Sequence, residues 1–388
     1  MHRKSVYFLI LAVAVLVALG SVMLFSTSAF ARDLTKLGPQ YILKRQIVWL
    51  TFAFILCLVA ANVDYHFWQR TWWIWFIASS VLLALCFVPP LGHRLNGSAR
   101  WLKLGFTTFQ PSEFAKFAAV VALAWWYARS ETKVCGFLDG FVYPIAAMSV
   151  LMGLILLEVD MGSTALIGAT TFILMFVAGT RLTFLAGVVG LGVSGLVFAI
   201  SHTPERVGRI LAFIYPEQYP ADFYQQLQGL IAFGSGGVEG LGLGNGRQKM
   251  AYLPYAYSDF IFPMIGEELG LRCTLLVVFC YLVMIVCGTN IAMHARDRFG
   301  MLFAFGIVVI IGLQAAVNIG VTTALLPNKG LTLPFISYGG SNLAFCALCL
   351  GILINIYRQG IGEKQDKTTV RLRAIARPKA YRARNEER

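Results

Sequence analysis

An all-α, polytopic membrane protein is the fold class this sequence predicts, and three observations carry the prediction. Of 388 residues, 58% are hydrophobic and only 13% are charged, a balance too apolar for one soluble core of that size. Mean hydropathy is +0.70. The apolar residues fall into ten runs near the length, roughly 20 residues, that a helix needs to cross a bilayer core. The expected architecture is about ten transmembrane helices with a large extracytoplasmic loop between spans seven and eight.

In chain order the runs lie near 6–28, 46–64, 72–89, 112–128, 141–158, 163–179, 182–201, 259–288, 301–325 and 335–356. The first is long enough to span, and no small-x-small cleavage pattern precedes a soluble domain, so it reads as a span and not a leader. The fourth carries Glu113 and Lys116 and the sixth is short and interrupted by glycine, which makes them the weakest two. A transmembrane domain is therefore expected over 1–357, with its large outer loop at 202–258.

Residues 358–388 hold ten Lys and Arg against four acids, the signature of a cytoplasmic tail, here expected to be disordered. An even number of spans places the N-terminus, with Arg3 and Lys4, on the same side. The tail's charge suits topology and anionic lipid; without interleaved aromatics it does not describe a nucleic-acid site. The outer face is nevertheless rich in cations: Arg32, Lys36, Lys44 and Arg45, then Arg94, Arg100 and Lys103, then Arg206, Arg209, Arg247 and Lys249. Singly such residues pair with local acids; as a set they describe an anion-binding face.

Seven of the eight cysteines lie inside apolar runs and behave as small hydrophobes. Cys346 and Cys349 have C-x-x-C spacing but no second pair or adjacent histidine, which argues against zinc or redox chemistry. The five histidines are too scattered for a metal cage. No Walker loop, G-x-G-x-x-G or G-x-S-x-G occurs, so the chain shows no nucleotide-driven engine.

Loop 202–258 mixes prolines, glycines, aromatics and charges, and a loop of this size usually carries function. Within it, 223–233 has apolar residues at helical spacing and is expected along the membrane interface. Residues 234–246 include seven glycines; beside Arg247 and Lys249 such a stretch either wraps a phosphate or is simply flexible.

The stretch YAYSDFIFPMIGEELG at 255–270 places Asp259, Glu267 and Glu268 where a long apolar run begins. A carboxylate there is expensive and points to function. Ser258 reads as the cap of the eighth helix with Asp259 in its first turn, where the helix dipole favours the ionised form and burial opposes it. Glu267 and Glu268 lie two turns further on and suit helix pairing. Lys116 needs a carboxylate partner, Glu113 on its own face or Glu268 from elsewhere, and reads as structural or cavity-lining. Glu158 and Asp160 sit at a loop end, where they bind a divalent ion, pair with an outer arginine or hold the loop, structure being the safer reading. Gln314 and Asn318, one turn apart, bond a neighbouring helix or line a cavity.

Several longer motifs accompany these residues: NGSARWLKLG (96–105), QPSEFAK (110–116), EVDMGST (158–164), GSGG (234–237), GRQKMAYLP (246–254), SDFIFPMIGEELG (258–270) and LLPNKGLTLPFISYGGSN (325–342). By these the chain resembles the SEDS family (shape, elongation, division and sporulation), the FtsW, RodA and SpoVE proteins of bacterial cell-wall synthesis. The form KGLTLPFISYGGS at 329–341 is most similar to the division-type FtsW branch.

The resemblance implies a peptidoglycan glycosyltransferase that polymerises lipid II, carried on undecaprenyl diphosphate, at the outer face of the cytoplasmic membrane for septal wall synthesis. It implies a class B penicillin-binding protein transpeptidase and other division membrane proteins as partners. The family's essential outer-loop aspartate matches Asp259, the expected catalytic base, with capping or ion pairing as the alternative. For the departing diphosphate the cations Arg100, Lys103, Arg206, Arg209, Arg247 and Lys249 are candidates, with Lys329 weaker; Trp101 stacks on sugar or anchors at the interface. No cofactor is certain, with Mg²⁺ or Mn²⁺ as the candidate ion. The rival readings are a flippase for the same lipid, which would carry its critical charges near the midplane, and a non-catalytic scaffold.

Overall fold

The computed structural model describes residues 2–28, 41–89, 91–95, 98–104, 107–129, 133–250, 252–254 and 256–375. Arg32, Lys36 and the last part of the tail, 376–388, lie outside the described residues.

Ten apolar helices take up the ten runs. They are α1 (His2–Ser28), α2 (Tyr41–Asn62), α4 (Trp72–Leu85) after a one-turn α3 (His66–Arg70), α5 (Pro111–Arg129), α6 (Tyr143–Leu157), α7 (Met161–Ala178), α8 (Leu182–Ser201), α11 (Ile261–Met293), α12 (Arg298–Thr322) and α13 (Gly340–Ile375). Between α8 and α11 stand α9 (Pro204–Ile214) and α10 (Pro220–Gly236). Seven of the described helices are long and apolar enough to cross a membrane, Trp72–Leu85 and Leu182–Gly195 are shorter apolar stretches, and α5 is diluted by its charged pair. The chain is a multi-pass helical membrane protein.

The core sits where α5, α12 and α13 meet, and α5 is buried continuously from Ala115 to Ala124. α8 is the opposite case. Leu182, Leu191, Val193, Val197 and Phe198 are exposed, as expected for a helix whose neighbour is lipid. Connections alternate between two ends of the bundle. At one end Tyr65 donates its phenol proton to Asp297, Arg298 binds the Ala178 carbonyl at 2.8 Å, and Asn355 binds the Ala61 carbonyl at 3.0 Å. The other end carries the residues singled out above.

Three departures from the expected architecture stand out, the first two at that end and the third at the opposite one. First, the α4–α5 connection is an antiparallel sheet of β1 (Gly92–Leu95), β2 (Ser98–Leu104) and β3 (Thr107–Phe109), in that order. Strands of three to seven residues are too short for hydrophobic alternation to stand out beside membrane helices. Second, 223–233 lies in α10, which packs onto α11 and α12 with Gln226, Gly229 and Ala232 buried; the amphipathic helix of the loop is instead α9. Third, α13 remains helical to Ile375, past the boundary at 358 where disorder was expected. Residues there are mostly good helix formers, and they extend a helix already nucleated.

Candidate active site

Asp259 lies in the turn that leads into α11, not in its first helical turn. The helix begins at Ile261, with Pro263 within its first turn, where a missing N–H is no loss. Phe260 is the N-cap and offers no side-chain bond; the Ser258 hydroxyl, expected to cap the helix, donates instead to Asp259 Oδ1 at 2.8 Å. Burial raises the Asp259 pKa, with Asp160 adding to the rise, while the Ser258 bond and the Arg100 charge oppose it. The net direction is upward, which makes this carboxyl a better proton acceptor than an ordinary aspartate.

The cations gather selectively. Lys329 has its pKa lowered to about 8 by burial first, then by the charges of Arg209, Arg206 and Arg100, against which Asp160 acts. Arg206 and Arg209 are three residues apart on α9, hence on one face. Asp259, Lys329, Arg100, Arg206 and Arg209 thus share one electrostatic neighbourhood. Lys103 and Trp101 do not join it through β2: they alternate with Arg100 and buried Leu102, so they occupy the opposite face of the strand.

Arg100 is anchored by the α6–α7 turn. Its guanidinium donates to the Val159 carbonyl at 2.6 Å and to the Glu158 carbonyl at 3.4 Å. Val159 has φ 66°, a costly conformation for a β-branched residue that persists only when its surroundings enforce it. Asp160 is the N-cap of α7: it accepts from Ser163 N at 3.1 Å, Ser163 Oγ at 2.8 Å and Ser112 Oγ at 3.3 Å. Holding the loop is therefore its role. Glu158 is fully buried, with the weakly donating Cys86 thiol against its carboxyl, and burial pushes its pKa up to about 8. That geometry keeps it protonated at neutral pH.

The glycine-rich loop wraps an anion, but the anion belongs to the protein. Glu267 accepts from Arg247 N at 2.7 Å and Gln248 N at 3.2 Å; Glu268 accepts from Lys249 Nζ at 2.6 Å, Ser26 Oγ at 2.7 Å and Gly244 N at 3.0 Å. Lys249 and Glu268 are buried almost completely, which removes Lys249 from the substrate-binding set and shows that Glu268 does not serve Lys116. The loop docks there because α11 is broken at Gly270, φ 75°. Leu241 N and Gly242 N take the carbonyls of Glu267 and Glu268, and Leu271 N returns to Gly237 O. A Cβ on Gly270 would lie 2.5 Å from Gly240 N, so only glycine fits. Arg247 keeps an exposed side chain on this loop.

The Lys116 ammonium meets Glu113 Oε1 at 2.8 Å on its own helix and Gln314 Oε1 at 2.6 Å on α12, and Glu113 Oε2 accepts from Asn342 at 2.9 Å. This buried network joins α5, α12 and α13 beside a small cavity. Among the described residues no three His, Cys, Asp or Glu side chains gather around a point that would hold a metal ion.

Known proteins share this architecture. The family model of FtsW, RodA and SpoVE, described as cell cycle protein, matches residues 7–361. The probable peptidoglycan glycosyltransferase FtsW of Trichlorobacter lovleyi is 38% identical over 349 residues, 90% of this chain and 92% of that protein. A chain from a structure on the coordination of polymerization and crosslinking by a peptidoglycan synthase complex superposes with TM-score 0.74 at 26% identity, covering 91% of this chain and 98% of that one. The rod shape determining protein RodA of Thermus thermophilus superposes with TM-score 0.64 at 26% identity, covering 90% and 96%.

Proposed function

The chain belongs to the FtsW, RodA and SpoVE family of cell cycle proteins, and from that membership we propose that it is a peptidoglycan glycosyltransferase of the FtsW branch that polymerises lipid II for septal wall synthesis. The observation that carries this reading is the Asp259 carboxyl, raised in pKa and acted on by Arg100, which together with Arg206 and Arg209 also acts on Lys329 at the same end of the bundle. Joining sugars requires an acceptor hydroxyl to lose its proton while a lipid diphosphate leaves the donor's anomeric carbon. Asp259 takes that proton. Lys329 and the arginines stabilise the charge growing on the diphosphate, and Lys329 does so only while protonated.

This end of the bundle is the outer face of the cytoplasmic membrane, with both termini in the cytoplasm and the protein at the division septum. A class B penicillin-binding protein crosslinks the product, within a larger set of division proteins. Any Mg²⁺ or Mn²⁺ ion would be held mainly by the substrate's phosphates. The buried Glu113–Lys116 pair is the feature a flippase reading draws on, but there the lysine is held by two partners and joins helices.

The test is polymerisation of purified lipid II by the chain reconstituted with its transpeptidase, with products resolved by gel. Glycan from wild type and none from Asp259→Asn is expected. An intact, partner-bound wild type that makes no glycan would move the assignment to the flippase or scaffold.

A further inference from the structure

The turn before α11 presents three consecutive backbone carbonyls, two bound by the adjacent residues Ser337 and Tyr338 and the third by Asn318 of α12. Tyr338 N donates to Tyr257 O at 3.0 Å, Ser337 Oγ to Ser258 O at 2.6 Å, and Asn318 Nδ2 to Asp259 O at 2.8 Å. The two side chains are themselves fixed. Ser337 Oγ accepts from Leu333 N at 2.8 Å, so its proton can only point at Ser258 O. Asn318, buried in α12, also donates to Leu331 O at 2.5 Å, and one turn away Gln314 donates to Thr332 O at 2.9 Å. Segment 331–338 is thereby bound to α12 on one side and to the Asp259 turn on the other. Buried Phe335, at φ 65°, supplies its sharp corner.

The carboxylate is treated differently from its backbone. Oδ1 receives the Ser258 hydroxyl, while Oδ2 faces Gly330, where an added Cβ would lie only 2.6 Å from it. A base saturated with hydrogen-bond donors is a poor proton acceptor, yet a base free to wander is misplaced. Anchoring the main chain, with no donor to Oδ2 among the described residues, satisfies both demands.

We infer that Asn318 and Ser337 are positioning residues for Asp259, holding its turn by the backbone so that one carboxylate oxygen stays open and fixed against Gly330. The inference rests on the reading of Asp259 as the catalytic base. Neither side chain touches the reacting atoms; both act through the main chain of the residue that does.

The full chain, reconstituted with its transpeptidase, is assayed for kcat and KM on lipid II as Ser337→Ala, Ser337→Thr, Asn318→Leu and Gly330→Ala, with Asp259→Asn as reference. Ser337→Ala and Asn318→Leu are expected to lower kcat on the order of 10- to 100-fold, the scale of a small misplacement of a reacting group, with KM nearly unchanged. Ser337→Thr, which keeps the hydroxyl, should restore most of kcat. Gly330→Ala has no backbone conformation to strain and pushes only on Oδ2, so kcat falls in a folded protein; if Asn318→Leu does not fold, this variant and the Ser337 pair still decide. Wild-type kcat in Ser337→Ala and Gly330→Ala, with Asp259→Asn inactive, overturns the inference and spares the base. Activity in Asp259→Asn overturns the base itself.

Discussion

Two sets of carboxylates flank the first turns of α11, and they are built in opposite ways. Glu267 and Glu268 are saturated: main-chain N–H groups of Gly244, Arg247 and Gln248, the Ser26 hydroxyl and the Lys249 ammonium close around them. Asp259 receives the Ser258 hydroxyl on one oxygen, feels the Arg100 charge, and has its backbone pinned instead. Glu267 and Glu268 are removed from water and Asp259 is half-buried, and both sets lie near cations. What separates scaffold from chemistry is how many donors each carboxylate already holds.

The largest expected effect comes from the unsaturated member. Asp259→Asn preserves shape and removes the base, so the rate of glycan synthesis should fall roughly 10²- to 10⁴-fold with no loss of melting temperature.

Glu268→Ala attacks the saturated member. It strands Lys249 in the interior, a loss of about 3–5 kcal/mol when one partner of a buried pair is removed, read as reduced yield of folded protein and a lower melting temperature in detergent. The double variant Glu268→Gln with Lys249→Met should recover most of that stability and polymerise lipid II normally. Failure of the folded double variant to polymerise would break the comparison.

Lys329→Gln tests the cation side. Removing one donor to a developing anion is expected to reduce kcat/KM by about 10². In wild type Lys329 is charged below about pH 8 and neutral above it, so activity should fall as pH rises through that value. The alkaline limb should be absent in the variant.

Glu158→Gln should have the smallest effect, and on stability alone. The folded protein keeps this carboxyl protonated up to about pH 8, whereas the unfolded chain loses the proton in the ordinary glutamate range. Wild-type stability therefore declines as pH rises between those values. Glutamine carries no such penalty, so the variant should melt at the same temperature as wild type at pH 4 and a few degrees higher at pH 8.

The ten apolar helices were legible because apolarity along one dimension suffices to find them, and Asp259 because a carboxylate beside an apolar run is rare. The inward turn of Lys249 was not. Its partner Glu268 is 19 residues away, and they meet only because α11 breaks at Gly270, where the sequence EELGLR reads as one continuous helix. The same limit applies to Arg100, which looks like a phosphate ligand by residue type and is shared in the fold with two turn carbonyls. Ser258 was expected to cap a helix that in fact starts three residues later, and its hydroxyl went to Asp259. Asn318 stood out as an amide in an apolar span, but only the fold shows that it grips the carbonyl of Asp259.

The most direct measurement is lipid II polymerisation and thermal melting on the same preparations of wild type, Asp259→Asn and the Glu268→Gln, Lys249→Met double variant, each reconstituted with the transpeptidase. The account predicts a folded, inactive Asp259→Asn beside an active double variant. Glycan synthesis by Asp259→Asn at the wild-type rate would contradict it.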